Sequence, residues 1–327
     1  MPALFEEGWF AYTPAWHSLG EVKDRRPTTW EEARDGYLNW EPETIPVYTR
    51  TDDGTLFPSY EVIPNYQQIV RSDDGELLSI QSLDYAVISN AEFGGLIEYI
   101  MGADIPGMPK LQFDALAVLK GGRLVCVTLW LEKPLEIPGD PSSTYPMMTF
   151  WTRHDGQGGM KGGASAIRIV CANTQQMSER SMDAHGFMFN IRHTKNWADR
   201  LEEARGRMIA TLGQVGKWEE MAKAMASQAA TLGDVGFFLD KWLPYSTDQT
   251  DRQKETVRRR REAFFAAYDS ETCEAINGTM WGVLQAATEV ADHVFPAHSM
   301  DTRAARTLLG NDNHKARALK LVRAMTK

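Results

Sequence analysis

The run LQFDALAVLKGGRLVCVTLWLE, Leu111–Glu132, decides what kind of core this chain builds. Two β-prone stretches flank Gly121-Gly122, and a glycine pair supplies the positive φ that a tight hairpin needs. Successive side chains of a strand point to opposite faces. Leu124, Cys126, Thr128 and Trp130 therefore share one face of the second stretch, and Val125, Val127, Leu129 and Leu131 share the other. Apolar residues on both faces predict a strand covered from both sides, or by a helix and a neighbouring subunit.

Working outward, a Pro-rich loop (EKPLEIPGDPSSTYP) leads to a third strand, MMTFWTRH, then to the Gly-rich DGQGGMKGG and to ASAIRIVCANTQQMSERSM. Upstream, Asn90–Met101 reads as a helix with Asn90 as its N-cap and Phe93, Leu96, Ile97 and Ile100 on its apolar face. Before it, VYTR-TDDGT-LFPSYEV and QQIVR-SDDGE-LLSIQS each hold Asp-Gly between β-prone runs, a hairpin signal. Turn chemistry explains these paired carboxylates sufficiently. A short helix is expected over Thr28–Asp35, with Thr29 as a cap before Glu31 and Glu32. From Asn196 the pattern changes: Leu201, Met208, Leu212, Val215, Trp218, Met221 and Met225 recur at helical spacing. Helices are also expected over Thr256–Tyr268 and Ile276–His293 and at the basic C-terminus. The chain thus reads as α+β. Residues 1–195 form a core around an antiparallel β-sheet with β-β-β-α order, and residues 196–327 form a helical region that packs on the core or mediates oligomerisation.

Composition narrows the function classes. With 327 residues, 43% hydrophobic and 24% charged, the chain is an ordinary globular protein and not a disordered one. No apolar run approaches the ~18 residues that span a bilayer, and MPALFEEGWF has no basic segment followed by an apolar one, so neither membrane nor secretion is expected. Cys126, Cys171 and Cys273 are isolated and fit a reducing cytosol. The net charge of −9 speaks against a coat for nucleic acid, but it hides an asymmetry. Residues 1–150 carry 10 basic and 23 acidic side chains, whereas residues 151–327 carry 25 and 21. Residues 303–327 alone hold seven basic and one acidic. A polyanion is expected at the back half.

Several constellations invite chemistry. Gly156–Gly163 matches neither phosphate-loop spacing and reads as a hairpin tip, or as a loop along which a polyanion approaches main-chain N–H groups. His154, Asp155, Cys171 and His193 are ligand types without zinc spacing, and Cys171 in IRIVCA reads as core. Cys171 or Ser165 with His154 or His193 lacks any local nucleophile signature. No catalytic residue, metal or cofactor is expected. The basic cluster is different. Trp151, Arg153, Lys161, Arg168, Arg192, His193 and Lys195, with Phe150 and Asn173 among them, combine phosphate-gripping cations with flat side chains on which bases stack. The bland alternative makes Trp151 core and the arginines ion pairs. Arg258–Arg261 encircle a helix and read as a solvated surface paired with Glu255 and Glu262.

Specific strings add a resemblance. Trp16–Gly20 (WHSLG), LSIQSLDYAVISNAEF, the GGR turn at Gly121–Arg123, RHDG at Arg153–Gly156, RIVCANT at Arg168–Thr174, NIRHT at Asn190–Thr194 and MWGVLQAATEVADH at Met280–His293 resemble a phage/plasmid-like family. Its shared domain, number 932 among the domains of unknown function, has no established activity. The resemblance implies a protein of the bacterial host's cytoplasm. More loosely, the order of strands 111–120, 123–132 and 146–153 followed by a helix near 164–181 resembles the core of the RecT/Redβ/Erf single-strand annealing proteins. That likeness implies rings or filaments holding single-stranded DNA in a basic groove. ASAIRIVCAN is β-branched enough to continue as a strand, in which case the likeness loses its last element.

Two readings follow, with a third behind them. One is a non-catalytic, homo-oligomeric single-stranded DNA-binding and strand-annealing protein of phage recombination or replication. Its contacts would be Trp151, Arg153, Lys161, Arg168, Asn173, Arg192, His193 and Lys195. The other is a protein-interaction or assembly module that binds no nucleic acid. The third is a metal-dependent nuclease or hydrolase using His154, Asp155 and His193.

Overall fold

The computed structural model describes residues 5–11, 21–51, 59–102, 110–168, 173–176, 189–212, 215–295 and 313–326. Strands β1 (Phe5–Ala11) and β2 (Glu21–Lys23) precede the short helix α1 (Trp30–Arg34). Strands β3 (Pro42–Thr51), β4 (Ser59–Arg71) and β5 (Leu77–Ser82) follow, then helix α2 (Asn90–Met101). Next come β6 (Leu111–Leu119), β7 (Leu124–Leu131), β8 (Thr144–Arg153), β9 (Met160–Arg168), β10 (Asn173–Gln176) and β11 (Phe189–Ile191). The rest is helical: α3 (Leu201–Leu212), α4 (Val215–Ser227), α5 (Leu232–Trp242), α6 (Asp251–Tyr268), α7 (Met280–His293) and α8 (Asn313–Met325).

The Gly121-Gly122 hairpin pairs β6 with β7 at the centre of a sheet ordered β10-β9-β8-β7-β6-β1-β2. β11 pairs with β9, and every pairing in this sheet is antiparallel except β1 with β2. The turn is tight because Lys120, Gly121 and Gly122 all have positive φ. Gly122 has a second reason to be glycine: a Cβ there would meet the Trp40 ring at 2.5 Å. Both faces of β7 are buried, as its sequence requires. On one face Val125, Val127, Leu129 and Leu131 pack with Leu116, Met148 and Phe150 under Trp30 of α1 and Phe93, Leu96 and Ile97 of α2. Trp30 meets Phe93 edge-on at 6.0 Å. On the other, Leu124, Cys126 and Thr128 are buried, while Trp130 stacks on Tyr145 at 4.0 Å with the Arg26 guanidinium over its ring.

Strands β3, β4 and β5 make a separate antiparallel sheet. At its second turn Arg71 grips Asp73 through two nitrogens and Gly75 has φ +75°. The first Asp-Asp-Gly turn lies outside the described residues, as do Trp16–Gly20 and Cys171.

The expected α+β class with a helical C-terminal region is observed, and three details differ. Ser89, not Asn90, caps α2: its hydroxyl accepts from the Glu92 N–H and the Glu92 carboxylate accepts from the Ser89 N–H. Asn90 lies one residue inside the helix, with a buried side chain used elsewhere. The helix expected over 164–181 is a strand through Arg168, because β8 offers a continuous partner from Met147↔Ser165 to Thr144↔Arg168. Residues 173–176 are strand again, so the described residues of 164–181 are strand where the β-β-β-α order expected its helix. Finally, Gly162 lies inside β9, packed against the Phe189 and Phe150 rings.

A second buried cluster is helical. It joins Phe238, Trp242, Phe264, Trp281 and Phe295 to Leu135 and Ile137 of the Pro-rich loop. Helix α7 is buried all round from Met280 to Thr288, and Trp281 donates to Asp140 at 2.8 Å. A buried ion pair, Lys315 to Asp292 at 2.5 Å, ties α8 to α7. Among the described residues no helix is long and apolar enough to cross a membrane.

Candidate functional site

Four of the quoted strings, GGR, RHDG, NIRHT and LSIQSLDYAVISNAEF, meet at the seam between the two sheets. From the Gly121-Gly122 turn Arg123 reaches β5, donating to the Leu78 carbonyl at 3.0 Å and to the Leu77 carbonyl. One guanidinium thus satisfies acceptors on the edge strand of the small sheet. The next β-turn brings His154. Its N–H donates to the Arg123 carbonyl at 3.0 Å, and its carbonyl accepts the Ser79 hydroxyl at 2.7 Å. Its ring, 1% exposed, places Nε2 3.1 Å from Asn90 Oδ1, and the Asn90 amide donates to the Trp40 carbonyl at 2.8 Å. Glu41 accepts the Asn90 N–H at the start of α2 and pairs with the nearly buried Arg34 at 2.8 Å.

Beside it, His193 and Ala86 exchange two hydrogen bonds: His193 Nδ1 lies 3.1 Å from the Ala86 carbonyl, and the Ala86 N–H donates to the His193 carbonyl at 3.2 Å. A carbonyl only accepts, so Nδ1 carries the proton. The His193 ring stacks on Tyr85 at 4.7 Å, and the Tyr85 hydroxyl donates to the Arg153 carbonyl at 3.1 Å. Gly156 closes the seam with φ +71°, where a Cβ would run into Gln81.

The electrostatics of the seam follow from burial and pairing. Burial pushes the His154 ring down to about 3, and the neighbouring His193 adds to the effect, so His154 is neutral. Burial lowers His193 as well, against the Ala86 hydrogen bond and Asp155. Burial raises Asp155, but the Arg153 hydrogen bonds, the Gln157 N–H and the charges of Arg153 and Lys120 together outweigh it and hold the carboxyl below its usual range. Arg153 occupies both Asp155 oxygens, at 2.9 and 2.6 Å. His154 and Asp155 are therefore gathered and committed to Asn90 and Arg153, whereas His193 is held through Nδ1 and its buried Nε2 has no hydrogen-bond partner among the described residues. Among the described residues no group of three His, Cys, Asp or Glu is placed to hold a metal.

The candidate contact residues separate by exposure. Trp151 is 3% exposed in the sheet and Phe150 is fully buried, so both are core and neither offers a stacking face to a base. Arg153 is the ion-paired arginine just described, and His193 is buried in the seam. Lys195 is exposed and lies 3.3 Å from Asp84 in a surface pair. Arg192 is exposed and Lys161 half-buried. Lys161 is opposite Asn190 in the β9–β11 ladder, and Arg168 is opposite Asn173 in the β9–β10 ladder. The side chains of Arg168 and Asn173 lie outside what is described. Arg258 pairs with Glu255 and Glu262 as expected, whereas Arg261 caps Leu239 and Leu243 carbonyls.

Tyr85, Asn90, Arg123 and Ser79 are the residues that a search for reactive types overlooks. Their one signal in the sequence is membership of the shared strings. A family model described as Domain of unknown function (DUF932) matches residues 77–319. The chain belongs to this family. The matched DUF932 region begins at β5 and so takes in the seam, β6–β11 and the helices to within α8, and leaves β3 and β4 outside. No curated protein and no solved structure matches the chain.

Proposed function

We propose that this DUF932 protein binds single-stranded DNA without catalysing a reaction, as a homo-oligomer in the cytoplasm of a phage-infected or lysogenic bacterium, and anneals complementary strands. Lys161, Arg168, Arg192 and Lys195 are assigned to the phosphates. The observation that carries the reading is the register of one sheet edge. On the side of β9 away from β8, β11 pairs at residues 160–162 and β10 at 165–168. Lys161 and Asn190 are cross-strand partners, and Arg192, just past the end of β11, is exposed as Asn190 is. The topology thus brings Lys161 of β9 and Arg192 just past β11, cations of two separate sequence segments, to one edge, where a phosphate backbone can reach both. Trp151, Arg153 and His193 have no part in it, and the order of elements no longer contributes to the argument.

A fluorescence anisotropy titration with a labelled single-stranded oligonucleotide tests this. Affinity is expected to fall steeply with salt, and a paired assay with complementary strands is expected to show faster annealing. The absence of binding at low salt overturns the proposal.

A second reading rests on the outer face of the small sheet. Ile45, Gln68 and Ile80 align across the three strands, and Tyr48 pairs with Val62. Tyr48, Tyr60 and Tyr66 are each more than half exposed. Glu43, Glu61, Asp73 and Asp74 share these strands and their turn, so the rings suit a protein partner better than a polyanion. Recovery from infected cells of one stoichiometric protein, insensitive to nuclease and lost on Tyr48→Ser with Tyr60→Ser, favours this reading.

A further inference from the structure

A groove of about 470 Å³ opens between α2 and the segment entering α3. Its walls are apolar and aromatic, with Tyr99, Trp197 and Leu201 among them, and its rim carries Glu92, Asp199 and Glu202. No cation lines it. Apolar walls take the aliphatic stems of lysine and arginine, flat rings take a guanidinium, and the carboxylates take the charge. The groove is therefore shaped and charged for a basic segment.

The same chain carries such a segment on another surface. Helix α8 packs inward through Ala318 and Val322 and is anchored by the buried Lys315–Asp292 pair. Outward it presents Arg317, Lys320 and Arg323, all exposed and three residues apart, which is a stripe along one side of a helix. One Arg317 nitrogen donates to the Lys241 carbonyl, which leaves Lys320 and Arg323 foremost. Helix α8 sits against α5 and α7, whereas the groove belongs to α2 and α3, so complementary surfaces stand on different elements.

We propose that the groove of one copy receives the basic stripe of α8 from a second copy, head to tail. Such an interface is heterologous: each copy keeps one unused groove or one unused stripe, so assembly continues into a ring or a filament. The inference rests on the oligomeric part of the function proposed above and is independent of the DNA contact.

Sedimentation velocity of the full chain distinguishes the outcomes. The wild type is expected to sediment above its 36.8 kDa monomer mass at low salt and to shift toward monomer at high salt, because the interface is charge-driven. Asp199→Lys with Glu202→Lys, and separately Lys320→Glu with Arg323→Glu, are expected to be monomeric with unchanged circular dichroism; the first pair also loses the Tyr99–Glu202 hydrogen bond, so its thermal midpoint falls slightly. An equimolar mixture of the two variants is expected to form at least a heterodimer, through the wild-type groove and wild-type stripe it retains. A wild type that stays monomeric at low salt overturns the inference and the oligomer together. Variants that assemble like the wild type, or a mixture that stays monomeric, overturn the interface alone. Anisotropy with the same monomeric variants reports DNA contact separately.

Discussion

The seam between the two sheets and the β9–β11 edge draw on the same short strings of sequence, yet they treat polar groups in opposite ways. In the seam, Arg123, His154, Asn90, Tyr85 and His193 each bond a named backbone or side-chain partner, with His154, Asn90 and His193 buried. At the edge, Asn190, Arg192 and Lys195 face water. RHDG and NIRHT each contribute to the seam, and NIRHT supplies both regions within five residues. Residue type does not separate a structural polar group from one open to a ligand. Burial and partner count do.

The largest effect that would break this contrast is on the seam. His154→Ala is expected to cost about 3 kcal/mol, by leaving the Asn90 oxygen unpaired and opening a cavity beside Trp40. Urea unfolding should show a lower midpoint at unchanged slope, and a loss below ~1 kcal/mol would mean that the seam is not held by this ring.

Acid gives the next effect. The folded His154 ring titrates near 3, below the ordinary value of 6.5, so its contribution is present above pH 6.5 and is lost as pH falls toward 3. Stability should fall by up to ~1.4 kcal/mol per pH unit in that window, with His193 acting in the same direction. Asp114 acts oppositely. Burial raises its carboxyl to about 6 in spite of Arg26, so its contribution is present below pH 3.8 and is lost as pH rises through 6. Denaturation of wild type and His154→Gln across pH therefore isolates the histidine: the variant should show the shallower acid loss, and equal slopes would contradict the assignment.

At the edge, Lys161→Glu with Arg192→Glu should weaken single-stranded DNA binding at least ~10-fold and leave stability within about 1 kcal/mol. An unchanged affinity would remove the edge from the DNA contact. The smallest effect is on Lys195→Ala. Its pair with Asp84 is solvent-exposed on both sides, so unfolding should move by less than ~0.5 kcal/mol. A larger loss would place Lys195 with the seam.

Local signals were legible where local physics decides. The Gly121-Gly122 turn, the two-faced β7 and the Thr29 cap all follow from φ preferences, side-chain alternation and capping chemistry. Ser89-x-x-Glu92 was equally local, and Asn90 masked it by being a good cap itself. The run after Gly163 was not decidable locally, because β-branched residues suit a strand only when a neighbour such as β8 offers its hydrogen bonds. The candidate site was harder still. Trp151 and Arg153 have the composition of a nucleic-acid groove, but one is core and the other is bonded to Asp155, two residues away.

By itself, then, the sequence determined an antiparallel hairpin core covered on both faces, a helical C-terminal region, an uneven charge distribution and membership of the DUF932 family. Each is written in neighbouring residues or in short strings, and needs no knowledge of distant contacts. Only the tertiary structure decided that GGR, RHDG, NIRHT and LSIQSLDYAVISNAEF converge, that His154 and His193 are sealed and neutral, and that an acidic groove and a basic helix stripe stand on different elements. Those properties depend on which groups lose water and which find partners, and segments far apart in the chain settle that together.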